Sequence, residues 1–311
     1  MSTDNTEKKT TSLEKIKSKY ILQKIFNLFP IIFKFKIIKY NKKAQDRCGI
    51  NINDYIDYSN KKFPFEIVIL PHQKCFGRIV NINNGQENNY KIYFNNNPNP
   101  YERNFIFEYE NYIKKIRILI SSNITSFKYL FLDCPVLKEV LIKKMYNNNI
   151  TDMSCMFAYC INLEAVYFDS AKTENVTDMS NMFYNCFNLV HVDLSRINTT
   201  KVTFMKGMFY NCKSLRALFI DNFDISNTRN FNSMFQYCKN LDIITINGLH
   251  FKHKFDFTYN NMFYGCKPQL LDCRNEKINI IWYSYLNLDL ICRSAIWNDD
   301  DLLREKLENN I

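Results

Sequence analysis

Apolar residues recur along the middle of this chain in a frame that barely moves. Met156-Phe157, Met182-Phe183, Met208-Phe209 and Met234-Phe235 follow one another at intervals of 26, and Met262-Phe263 arrives 28 residues after the last. Three residues after each pair stands a cysteine: Cys160, Cys186, Cys212, Cys238 and Cys266. Three beyond each of the first four cysteines stands a leucine: Leu163, Leu189, Leu215 and Leu241. An earlier copy is visible at Leu130-Phe131, Cys134 and Leu137.

Within one repeat the pattern changes period. Leu189, Val192 and Leu194 alternate with polar positions, as a short half-buried strand does. The matching sets are Leu163/Val166/Phe168, Leu215/Leu218/Ile220 and Leu241/Ile244/Ile246. Upstream, Met179, Met182, Phe183 and Cys186 are spaced by three and four. That spacing predicts one face of a short helix or 3₁₀ turn, opened by the capping pair Thr177-Asp178. A strand and a helical turn per repeat cannot bury their own apolar faces, so neighbouring repeats must stack. A period in the twenties with this content predicts an α/β fold: a leucine-rich-repeat solenoid of about six 26-residue coils. A helical N-terminal region and a C-terminal cap complete the expectation.

The run T-D-M-S-x-M-F-x-x-C-x-N-L, at Thr151–Leu163 and again at 177–189, closely resembles the BspA-type leucine-rich-repeat family. Looser copies at 203–228 and 229–256 keep its frame, so the resemblance covers about 125–275. It implies a curved solenoid and an interaction protein, on the cell surface or inside the cell, without known catalytic residues. The long N-terminal region here is unlike the family's commonest form.

The cysteines invite a metal or disulfide reading. Six of the eleven hold the repeat position, and the others are Cys48, Cys75, Cys155, Cys273 and Cys292. Stacked equivalents would each have two equal neighbours, which frames no unique pairing, and no CxxC or histidine cluster supplies zinc spacing. They read as small buried thiols in the turn between helix and strand, and with no metal or cofactor implied. Asparagine runs such as 95–97 and 147–149 read as genome bias as much as design.

Charge is local. The formal net charge is +10, and residues 1–50, with twelve Lys/Arg against four Asp/Glu, hold +8 of it. Those lysines alternate with apolar residues, as in Lys34-Phe-Lys36-Ile-Ile-Lys39, which reads as solvated faces of amphipathic helices. The longest apolar run, Ile25 to Phe33, is nine residues and contains Pro30, whereas a membrane-spanning helix needs about 20. No secretion signal is legible, and free thiols suit a reducing compartment, so a cytoplasmic location is expected.

Along the chain the texture divides four ways. Residues 1–62 read as a basic helical region, with helices expected over 12–28, 31–48 and 51–60. Residues 63–112 are β-rich, with strand-like runs at 67–70, 78–82, 90–94 and 105–107. Residues 113–282 are the expected solenoid, its first strand at Ile113, Ile116 and Ile118 and its last at Ile278-x-Ile280. Residues 283–311 form the expected cap helix. Ile21-Leu22, Ile25-Phe26, Phe35 and Ile37-Ile38 faintly resemble an F-box, a helical module that recruits ubiquitin-ligase scaffolds.

No P-loop, GxGxxG, HExxH or nucleophile motif occurs, and no catalytic residue is expected. His250 and His253 lack the second pair a metal site would need. Binding is better founded. Outward strand positions form columns on the expected concave face, and the candidate partner-binding residues are Tyr167, Asp169, His191, Asp193, Phe219, Asp221 and Thr245. Their mixture of aromatic, acidic and neutral groups is unlike the Lys/Arg lining that nucleic acid requires. The function expected is a non-enzymatic scaffold binding a protein partner on that face. The alternatives are a substrate-recognition adaptor of a ubiquitin ligase, gripping its scaffold through the N-terminus, and a surface adhesin.

Overall fold

The computed structural model describes residues 63–246 except 74, 107–109 and 111. It also describes 258, 260–266 and 270–273 and, nearer the N-terminus, 45–47, 53, 57 and 60–62. Two compact units divide after Lys62. In the first, every described residue is helical. The expected helices over 12–28 and 31–48, the F-box-like residues, His250, His253, the strand at 278–280 and the cap over 283–311 lie largely or wholly outside the described residues.

The second unit is built mostly of strands. They are β1 (Phe65–Pro71), β2 (Gly77–Arg78), β3 (Tyr90–Phe94), β4 (Phe105–Ile106), β5 (Ile116–Ile120), β6 (Leu137–Met145), β7 (Ala165–Phe168), β8 (His191–Asp193), β9 (Ala217–Phe219), β10 (Ile243–Ile246) and β11 (Leu270–Cys273). One sheet runs β3-β5-β1-β6-β7-β8, a second β11-β10-β9, and β2 pairs with β4; no sheet closes into a barrel among the described residues. Among the described residues of this unit, helix is limited to the 3₁₀ turn Glu87–Asn89.

From β6 onward the described strands run parallel to their neighbours in two groups of three. β6, β7 and β8 are parallel and in register, with Val140 opposite Val166 and Val166 opposite Val192. β9, β10 and β11 repeat the arrangement, so the last described strand is Leu270–Cys273. No ladder joins β8 to β9 among the described residues. There Asn222 bridges the gap, its side-chain amide donating to the carbonyls of Leu194 (3.0 Å) and Ile197 (2.9 Å).

Upstream, the structure corrects one expectation. Residues 116–120 do form a strand, but it does not lie against β6. β1 inserts between them, antiparallel to both, with Ile67 opposite Ile118 on one side and Ile142 on the other. β3 covers the far edge of β5. Of the four strand-like runs in 63–112, the one at 78–82 contributes only Gly77–Arg78.

The second correction concerns the expected helical turn. Residues 153–160 form consecutive tight turns, closed by Met156 N–H to Met153 C=O (3.3 Å), Ala158 to Cys155 (3.2 Å) and Cys160 to Phe157 (3.1 Å). The alternate N–H groups of Met153, Cys155, Phe157 and Tyr159 donate to the next repeat, at Asp178, Ser180, Met182 and Tyr184, over 2.7 to 2.9 Å. A helix commits its N–H groups to its own carbonyls and would leave none for a neighbour. The turns release them by placing two residues of left-handed φ in each repeat, four apart. These are 129/133, 155/159, 181/185, 207/211, 233/237 and 261/265, with φ between 52° and 74°. Seven of these twelve positions are Asn, Asp or Gly, the residues that tolerate that conformation most readily. Part of the asparagine content is therefore conformational, where the sequence suggested compositional bias.

Between turns and strands lies a continuous interior. Phe131, Phe157, Phe183, Phe209, Phe235 and Phe263 form a row with successive ring centroids 5.3 to 5.8 Å apart and planes within 14° of parallel. Beside it, every repeat cysteine from Cys160 to Cys266 donates its thiol to a phenylalanine carbonyl of the preceding repeat, whereas Cys134, the first, turns to Leu132 C=O at 3.8 Å. Cys160 reaches Phe131 at 2.9 Å, Cys186 reaches Phe157 at 3.0 Å, Cys212 reaches Phe183 at 3.1 Å and Cys238 reaches Phe209 at 2.8 Å. All are buried and free of disulfides. The cysteine is thus a hydrogen-bond donor between repeats as well as a small space-filling group.

Candidate functional site

The predicted strand-face residues occupy equivalent register positions. Tyr167 on β7 stands opposite Leu141 and Asp193, and Phe219 on β9 stands opposite Thr245. Alternation explains their exposure, because the flanking Val166, Phe168, Leu218 and Ile220 turn inward. Tyr167 keeps 36% of its surface in solvent and Phe219 keeps 57%. His191 packs its ring 5.3 Å from that of Tyr167. Thr245 donates its hydroxyl to Asp221 at 2.8 Å. Asp193 accepts the backbone N–H of Ser195 at 3.0 Å. That bond, then the Ser195 hydroxyl, holds its carboxyl below its ordinary value against the opposing effect of burial, with His191 and Arg196 adding to the lowering. Asp169 is exposed beyond the end of β7.

The structure brings Tyr167, His191 and Asp193 together on adjacent strands, and Phe219, Asp221 and Thr245 together on the next pair. The break between β8 and β9 separates the two groups into two sheets. Within this set Asp193 is tied to backbone and Asp221 to Thr245, an arrangement suited to presenting a surface.

A second surface lies on the tight turns and was not legible from apolar spacing. A groove of about 450 Å³ is lined by Tyr129, Tyr159, Tyr184 and Tyr210, with Lys206 at its edge and small residues such as Gly207 between the rings. Tyr184 stacks on Tyr210 at 4.4 Å with planes 5° apart, and Tyr159 leans on Tyr184 at 5.5 Å. The tyrosine row continues to Tyr237 and Tyr264 at 5.6 Å per step. Burial first, then the neighbouring Tyr210 and Tyr159, pushes the Tyr184 phenol up. The signal was present in the sequence as a tyrosine one or two places after the repeat phenylalanine: Tyr159, Tyr184, Tyr210, Tyr237 and Tyr264.

One sulfur–imidazole contact stands elsewhere. Cys75 Sγ lies 3.3 Å from His72 Nδ1 and accepts the side-chain amide of Asn162 at 3.2 Å. Burial pushes the Cys75 thiol up, which favours the protonated form over a nucleophilic thiolate. The same Asn162 amide donates to the Pro135 carbonyl at 2.9 Å, so the contact ties a loop to the repeats. Among the described residues no group of three or more His, Cys, Asp or Glu is placed to hold a metal ion. No helix among them is long and apolar enough to cross a membrane.

The sequence pattern of one family, described as "Mycoplasma protein of unknown function, DUF285", matches this chain three times in overlapping stretches, at 104–192, 125–248 and 167–272. Together they run over more than half of the 311 residues. No curated protein and no solved structure matches the chain.

Proposed function

From the premise that the chain belongs to the DUF285 family, we propose that it is a non-enzymatic interaction scaffold, a BspA-like leucine-rich-repeat solenoid that binds a protein partner on its strand face. The in-register parallel strands of 26-residue repeats support the solenoid. The observation that carries the binding reading is Phe219, a large apolar side chain left 57% exposed on a strand whose neighbours are buried. Exposed aromatics of this kind are enriched at the energetic centres of interfaces. Tyr167, His191 and Asp193 extend the surface on one sheet, while Asp221 and Thr245 extend it beside Phe219.

The test is affinity capture on the immobilised full-length protein, followed by titration of the captured partner. Tyr167→Ala combined with Phe219→Ala is expected to weaken that partner by about 2 kcal/mol or more. Thermal stability should stay within about 0.5 kcal/mol of the parent, because neither ring is in the interior. Unchanged affinity would remove the strand face from the reading.

A further inference from the structure

The tyrosine groove has three properties that together narrow its occupant. First, its backbone is already committed. The N–H groups of Tyr129, Cys155, Tyr159, Asn181, Gly207 and Ser233 donate to Ser154, Ser180, Tyr184, Lys206, Asn232 and Asn260. A ligand strand that needs main-chain pairing finds no ladder to join, which argues against strand addition. The groove can offer only side chains, so its ligand must need no backbone partners of its own kind.

Second, the lining supplies flat aromatic faces and hydrogen-bond donors, with Lys206 as a cation and no carboxylate. That chemistry suits a ligand rich in apolar rings and carbonyl acceptors, neutral or acidic in charge. It suits an oligosaccharide less well, because sugar hydroxyls must also donate and are commonly met by carboxylates.

Third, the spacing fits. Adjacent hydrogen-bonded repeats step by about 4.8 Å, so tyrosines two repeats apart, such as Tyr159 and Tyr210, are separated by about 9.6 Å along the stacking direction. One turn of polyproline II helix, three residues at 3.1 Å, advances by about 9.3 Å, and it carries no internal hydrogen bonds. Residues i and i+3 of such a helix would reach the rings of Tyr159 and Tyr210, which flank Tyr184 at 5.5 and 4.4 Å.

We infer that this groove docks a proline-rich segment of a partner protein, in polyproline II conformation and with an acidic flank facing Lys206. The rings of Tyr159, Tyr184 and Tyr210 form the platform, and their hydroxyls, with Lys206, donate to the ligand's carbonyls and carboxylates. The site is separate from the strand face and does not depend on it.

The probe is a blocked oligoproline of about ten residues bearing glutamates at one end, titrated into the full-length protein by calorimetry. Saturable binding is expected, about tenfold weaker for Tyr159→Ala combined with Tyr210→Ala. Tyr210→Phe keeps the ring and removes only the hydroxyl, so it is expected to cost about threefold and to keep the test decisive if the alanine variant fails to fold. Replacing the terminal glutamates by lysines should weaken binding further. No binding by the oligoproline would overturn the proposal, as would equal binding of an alanine-substituted peptide. Preference for a β-linked glucose oligosaccharide over the peptide would reassign the groove to a glycan.

Discussion

Phe183 sits in the middle of the interior phenylalanine row, fully buried, with Phe157 and Phe209 each 5.4 Å away and nearly parallel. Phe183→Leu retains most of the apolar volume but removes two ring–ring contacts. Each such contact is worth about 0.5–1.5 kcal/mol beyond area burial, so the substitution should cost about 1–3 kcal/mol. Phe183→Ala adds a cavity to the loss of transfer energy and should cost about 3–5 kcal/mol. Phe131 is the informative control. It stands at the end of the row, stacked on Phe157 alone at 5.3 Å. If stacking contributes as argued, Phe131→Leu should cost about half of Phe183→Leu, near 0.5–1.5 kcal/mol. Urea unfolding followed by far-ultraviolet circular dichroism gives both values, provided the slope with denaturant stays at its parental value. Equal costs at the two positions, or a neutral Phe183→Leu, would show that the row is incidental to ordinary core packing.

Three further outcomes follow from the same geometry. Cys186 and Cys212 should react slowly with thiol reagents in the native protein and rapidly after unfolding, and Cys186→Asp should destabilise by several kcal/mol through a buried unpaired carboxylate; fast native labelling would refute the burial. Burial raises the Cys160 thiol from 9.0 to about 12. The folded state therefore holds a proton the unfolded chain releases, so this contribution is complete below about pH 9 and is lost as pH rises from there toward 12; melting temperatures that stay flat from neutral pH to pH 11 would contradict it. A fragment comprising 113–311 lacks β1 and β3 and should aggregate through the bare edges of β5 and β6, whereas 63–311 should remain monomeric on size-exclusion chromatography.

Apolar periodicity made the repeat frame legible because every repeat must bury the same positions. Leu163, Val166 and Phe168, and likewise Leu189, Val192 and Leu194, are interior as their alternation requires. Spacing alone does not separate these turns from a helix. Spacing of three and four, as in Met179, Met182, Phe183 and Cys186, places residues on one side of a helix and equally on one side of successive i→i+3 turns. What distinguishes the two is the left-handed residue every fourth place, and Asn181, Asn185, Gly207 and Asn211 carried that signal in residue type. The strand-face residues followed from alternation alone. The tyrosine groove did not, because its rings come from positions one or two after the phenylalanine and meet only once repeats are stacked.

The insertion of β1 shows where periodicity has no purchase. Phe65, Ile67 and Ile69 alternate and are buried, which marks a strand, but nothing in that pattern selects its neighbours. Charge does. Glu66, buried within this apolar run, receives Arg117 Nε from β5 at 2.9 Å, and Lys144 and Lys143 of β6 approach at 3.4 and 3.8 Å. Burial alone would push its carboxyl up, but the hydrogen bond and charge of Arg117, with Lys144 and Lys143, outweigh it and hold the group below its ordinary value. Direct pairing of β5 with β6, the arrangement expected from 24-residue spacing between Ile113 and Leu137, would set Arg117 opposite Leu141 and forgo the meeting of Arg117, Lys143 and Lys144 on one carboxylate. A single glutamate in a hydrophobic strand, flanked by cations on the two strands that would otherwise meet, thus selects the antiparallel insertion over simple continuation of the repeats.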